Sequence, residues 1–138
     1  MNPRKLTIAM LWLLIPWTVM ACGMGDTTAE GYENTDIKHA HSHWKQGKKS
    51  PIPFQFIDVR TAKEYSEGHV PGAINIPVQV IAEHLNEVPK DKQVYVYCES
   101  GVRSTKAASL LAKSGFKNIE NMHDGMRGWR NHDYPQEK

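Results

Sequence analysis

The stretch Tyr95–Phe116, YVYCESGVRSTKAASLLAKSGF, decides how this chain folds. Tyr95 to Tyr97 is aromatic and β-branched, the composition of a strand. A short polar loop with one glycine, Gly101, follows Cys98. From Arg103 the apolar residues recur at helical spacing, and Gly115 stands where a helix commonly ends in a left-handed residue. A second strand-like run, Phe116–Met122, comes directly after. Strand, helix and strand in that order predict a parallel crossover.

The alternation continues outward from this unit. Phe54–Val59 reads as a strand, largely apolar as expected for one buried on both faces. Thr61–Glu64 (TAKE) is a capping box that opens a short helix. Ala73–Ile76 reads as a short strand, and Val78–Val88 as a helix with Val80, Ile81, His84 and Leu85 on one side. Nearer the start, Asp36 can cap a helix that shares Ile37, Ala40, His41 and Trp44 on one face. After the last strand, Asp124–His132 reads as a loop with a final short helix. Together these predict an α/β domain with a central, mainly parallel sheet flanked by helices.

The chain has 138 residues, 40% hydrophobic and 23% charged, which fits one globular domain. Its first residues read differently. Arg4 and Lys5 precede an uncharged run, Leu6–Ala21, and Cys22 follows. A charged start, a short apolar stretch and a small residue at the junction predict an export signal over residues 1–21. The run is shorter than the roughly 20 residues that span a bilayer. Val19–Cys22 (VMAC) also resembles a bacterial lipobox, which implies lipidation of Cys22 as the mature N-terminus. The expected location is therefore periplasmic or cell-envelope, held by an N-terminal lipid only, at the outer membrane if the host has one. Residues 23–35, small and polar, read as a flexible tether, leaving 36–138 as the folded domain. Lys and Arg number 17 against 15 acids, and Arg4 and Lys5 account for the excess, so the remainder is formally neutral. No clustered basic run points to nucleic acid.

With Cys22 lipidated or removed, Cys98 is the one thiol of an exported chain, with no disulfide partner and no CxxC spacing. It lies at the carboxyl end of a parallel strand, where open α/β sheets bind ligands, and just before a helix N-terminus. Unpaired amides, the helix dipole and Arg103 all favour the thiolate, drawing its pKa below about 8.5. Gly101 permits a loop whose N–H groups face inward as an anion nest. The expected role of Cys98 is a nucleophile.

Three segments taken together, FIDVRTAKEYSEGHVPGAINIP (Phe56–Pro77), YCESGVRS (Tyr97–Ser104) and GFKNIENMHDGMRGW (Gly115–Trp129), resemble the single-domain rhodaneses, especially small exported ones of phage-shock type. The resemblance implies a thiosulfate sulfurtransferase that holds sulfane sulfur as a Cys98 persulfide. Thiosulfate or a similar donor would supply it, and cyanide or a thiol would accept it. It further implies that Glu99, Ser100, Gly101, Val102, Arg103 and Ser104 cradle the persulfide, with Arg103 orienting the donor's oxyanion. No metal or organic cofactor is implied. A non-catalytic persulfide carrier or redox-sensing thiol uses the same residues and stays open. A cysteine phosphatase is a distant third: its loop places five residues between cysteine and arginine, where this chain has four, and Glu99 should repel a phosphate dianion.

The remaining marked residues have plainer readings. Asp58 and Arg60 are expected to form an ion pair at a strand end, with Arg60 also a candidate for steering a donor anion. His69 reads as a loop brace. His39, His41 and His43 lack the further ligands of a zinc site and read as a solvated helix. The family often has a glycine where Asp124 stands, so a left-handed conformation is in question there.

Overall fold

The structure, a computed structural model, describes residues 27–138. The expected signal, Cys22 and residues 23–26 of the expected tether lie outside the described residues. Five strands, β1 (Glu33–Thr35), β2 (Phe54–Asp58), β3 (Ile74–Asn75), β4 (Gln93–Tyr97) and β5 (Ile119–Met122), form one sheet in the order β1-β5-β4-β2-β3. Every pairing within it is parallel. Helices α1 (Ile37–Gln46), α2 (Ala62–Glu67), α3 (Val102–Lys113) and α4 (Gly125–Asn131) make the crossovers and flanks.

Period-two alternation along the central strands builds two cores. Val94 and Val96 of β4 face one layer with Ile57, Ala107 and Leu111 of the neighbouring elements. Tyr95 and Tyr97 face the other with Phe56, Met122, Met126 and Trp129. Both faces of the sheet are therefore covered, as the apolar run of β2 requires. The helix starts follow the sequence: Asp36 Oδ1 accepts the His39 N–H at 2.8 Å, and Thr61 and Glu64 complete the capping box of α2.

Two expectations fail. The stretch read as a tether supplies β1, whose Glu33 to Thr35 pair with Glu120 to Met122 of β5, and Tyr32 beside it is buried. Three polar residues show no alternation, and their place rests on backbone ladder bonds that side-chain pattern does not reveal. The helix expected over Val78–Val88 is instead two 3₁₀ turns, Ile81–Glu83 and Leu85–Glu87, split at His84 with φ −115° and ψ 24°. β-Branched Val78, Val80 and Ile81 weaken helix propensity there. Burial of Ile81 and Val88 against the sheet holds the segment instead.

Candidate active site

The central position of β4 brings Cys98 to the carboxyl edge of the sheet, flanked by the ends of β2 and β5. The side chain is 1% exposed. Its Sγ accepts the Gly101 N–H at 3.1 Å and lies 3.5 Å from the Ser104 hydroxyl, whose oxygen is also 3.1 Å from the Gly101 carbonyl. Burial alone would push the thiol up. The Ser104 hydroxyl and the amides of Ser104, Ser100 and Gly101 outweigh it, leaving Cys98 below the ordinary thiol value.

The inward turn of these amides has a cause that sequence reasoning missed. The first turn of α4 takes the loop's carbonyls: the Met126 N–H donates to the Cys98 carbonyl at 2.7 Å, and the Arg127 N–H to the Glu99 carbonyl at 3.0 Å. With these two carbonyls held by α4, the amides that follow them, of Ser100 and Gly101, turn toward the sulfur. This approach is close enough that Gly125, at φ +60°, has no room for a Cβ, which would stand 2.5 Å from the Cys98 carbonyl oxygen. The glycines in the segment DGMRGW were the available signal. Asp124 itself sits at φ −74°, in the right-handed region, so the doubt about that position falls away; the left-handed residue is Gly125.

Arg103 leaves the loop to meet α2. Its Nη1 and Nη2 donate to the two carboxylate oxygens of Glu64, each at 2.8 Å. That bidentate contact draws Glu64 down to about 2 and Arg103 up. Glu64 also accepts from the Thr61 N–H, so one carboxylate ties the start of α2 to the start of α3. Val102 is 66% exposed beside the loop, and Ser100 is exposed with it.

Arg60 is buried and bonded to Asp58 through Nε at 3.0 Å and Nη2 at 2.7 Å, with Nη2 also donating to the Gly68 carbonyl. Its Nη1 is 3.7 Å from Glu99, which also pairs with Arg130. Glu99, the carboxylate expected beside the site, is thus held between two guanidinium groups. His69 braces the loop after α2, with its Nδ1 2.9 Å from the Tyr65 carbonyl and its ring stacked on Tyr65.

The three histidines of α1 are less solvated than expected. His41 stacks on Tyr134 with ring centroids 3.5 Å apart. His43 bridges the Tyr95 hydroxyl and the Ser50 hydroxyl, at 2.8 and 2.6 Å. Only His39 is exposed, 3.9 Å from Glu120. Among the described residues no group of three or more His, Cys, Asp or Glu is placed to hold a metal ion.

The rhodanese-like domain model matches residues 31–132. The chain is 40% identical over 68 residues to the thiosulfate sulfurtransferase PspE of Escherichia coli, covering 48% of this chain and 65% of that protein. It is 32% identical over 96 residues to the thiosulfate sulfurtransferase GlpE of Coxiella burnetii, covering 70% and 87%. Against YrkF of Bacillus subtilis, whose name proposes a sulfur-carrier role, it is 37% identical over 86 residues, 62% of this chain but 46% of that protein. It spans 60% of another Bacillus subtilis relative, YqhL. A solved rhodanese-related protein from Thermoplasma volcanium superposes with a TM-score of 0.67 at 26% identity, covering 75% of this chain and 96% of that one. Fold, motif positions and family match converge, and the chain belongs to the rhodanese-like sulfurtransferase family.

Proposed function

We propose that the protein is a thiosulfate sulfurtransferase working through a Cys98 persulfide. The observation that carries this reading is the Cys98 thiol ringed by the Gly101 amide and the Ser104 hydroxyl, below its ordinary pKa. The thiolate attacks the sulfane sulfur of thiosulfate. The sulfur–sulfur bond of the donor breaks, sulfite leaves with the electron pair, and Cys98 keeps one extra sulfur as a persulfide anion. Cyanide or a thiolate then attacks that outer sulfur, and the electron pair returns to Cys98 Sγ. Charge moves without any net redox partner, so the cycle needs neither metal nor organic cofactor.

The loop from Glu99 to Ser104 cradles the outer sulfur with its amides. The Glu64 contact supports a bracing role for Arg103, and the Asp58 contact supports the same for Arg60. PspE and GlpE, both named thiosulfate sulfurtransferases, support the choice of donor. The sequence before Gly23 supports an exported protein with a lipid on Cys22.

Cyanide-dependent thiocyanate formation tests the activity. The wild type is expected to turn over with ping-pong kinetics, and Cys98→Ser to lose turnover while keeping its fold. Turnover retained in Cys98→Ser would overturn the mechanism. A stable wild-type persulfide that cyanide does not discharge would favour a carrier instead.

A further inference from the structure

The two ends of the sheet treat charge differently. Around Cys98 each of Arg60, Arg103 and Arg130 meets a carboxylate, those of Asp58, Glu64 and Glu99. At the opposite end, the loops that enter β2, β4 and β5 carry Lys48, Lys49, Lys90, Lys92 and Lys117 against one acid, Asp91. Among the described residues none of these five lysines lies within ion-pair distance of a carboxylate. Glu120 lines a cavity with Pro51 and Ile52, and Glu33 and Glu120 line another with Lys117, so two further acids stand on the β1 side of this end and the lysines stay in excess.

An apolar residue sits among these cations. Ile52, between Pro51 and Pro53 in the loop of Lys48 and Lys49, is 56% exposed. Lys48 and Lys92 line one cavity of about 450 Å³ together with Trp44 and Phe54. The chain also enters the domain here. In a parallel sheet β1 starts at the same end as the other strands, and the described chain begins at Thr27, bridged to Glu33. Six residues earlier ends the uncharged run Leu6–Ala21.

We propose that this amino end of the sheet is a membrane-facing surface that rests on an anionic phospholipid bilayer. The lysines meet the headgroups with their stems lying over apolar surface, and Ile52 reaches the acyl boundary. Cys98, at the carboxyl end, then faces away from the bilayer and stays open to soluble donors and acceptors. Nucleic acid fits less well: an exposed isoleucine has no place on a phosphate backbone, and no large aromatic is exposed among the described residues for stacking on bases.

Residues 27–138 contain both cores, and part of this chain corresponds to 96% of the chain of a solved rhodanese-related protein, so this domain serves for the test. It is mixed with phosphatidylcholine vesicles, with and without phosphatidylglycerol, and sedimented at low and high salt. The expected result is binding only with phosphatidylglycerol, lost at high salt, and weakened about fivefold for each lysine removed in Lys48→Gln, Lys49→Gln and Lys92→Gln. Asp91→Lys should strengthen it. Cyanide-dependent sulfur transfer should be unchanged in all these variants, which shows that the domain is folded and separates this surface from the Cys98 site. Equal binding to neutral vesicles, binding indifferent to these substitutions, or retention on single-stranded DNA without vesicle binding would each overturn the proposal.

Discussion

At Gly101 a methyl group would have to stand 2.4 Å from the His123 carbonyl oxygen, on a backbone with φ +94°. Steric exclusion and left-handed strain, the latter of order 1–3 kcal/mol, therefore act on the same residue. Gly101→Ala is expected to lower the thermal midpoint and to slow alkylation of Cys98 at neutral pH, because shifting the loop moves the amide bonded to Sγ. An unchanged midpoint and alkylation rate would show that the loop does not depend on this glycine. The place of Cys98 and the need for Gly101 are legible in the sequence, since both follow from a strand handing over to a helix. The partners that shape the loop are not. Arg103 finds Glu64, 39 residues away, and the Cys98 carbonyl finds the Met126 amide, and only the completed topology brings these together.

Among elements, the join between α2 and α3 titrates at low pH. Arg103 chiefly, with help from the Thr61 amide and hydroxyl, takes Glu64 from its ordinary 4.5 to about 2. A carboxylate with a depressed folded pKa stabilises the fold above its unfolded value and ceases to do so as pH falls through the folded one. Stability should therefore drop between pH 4.5 and about 2 by at most about 1 kcal/mol from this pair, which is partly exposed. Glu64→Gln keeps the capping-box geometry and removes the charge. Its denaturation midpoint should be flatter over that window than that of the wild type, and an identical pH profile would deny the pair a role. The capping box itself can be read from Thr61 and Glu64 because its spacing is local. The β1 edge strand and the 3₁₀ turns cannot, because pairing with β5 and burial of Ile81 override weak local preference.

For the molecule as a whole, the all-parallel sheet gives the domain two unlike ends. One gathers the loops that follow the strands, with Cys98 at the centre and Arg60, Arg103 and Arg130 paired; the other gathers the loops that precede them, with lysines left open. The architecture is readable from alternation alone, because β2 and β4 are long enough to show their composition. The division of charge is not, since Lys48 and Lys92 become neighbours only through the sheet. Intact mass of the reduced protein, before and after one equivalent of thiosulfate without acceptor, tests the Cys98 mechanism most directly. The expected result is a gain of one sulfur atom, placed on Cys98 by peptide mapping, absent in Cys98→Ser and discharged by cyanide. An unchanged mass, or the same gain in Cys98→Ser, would contradict it.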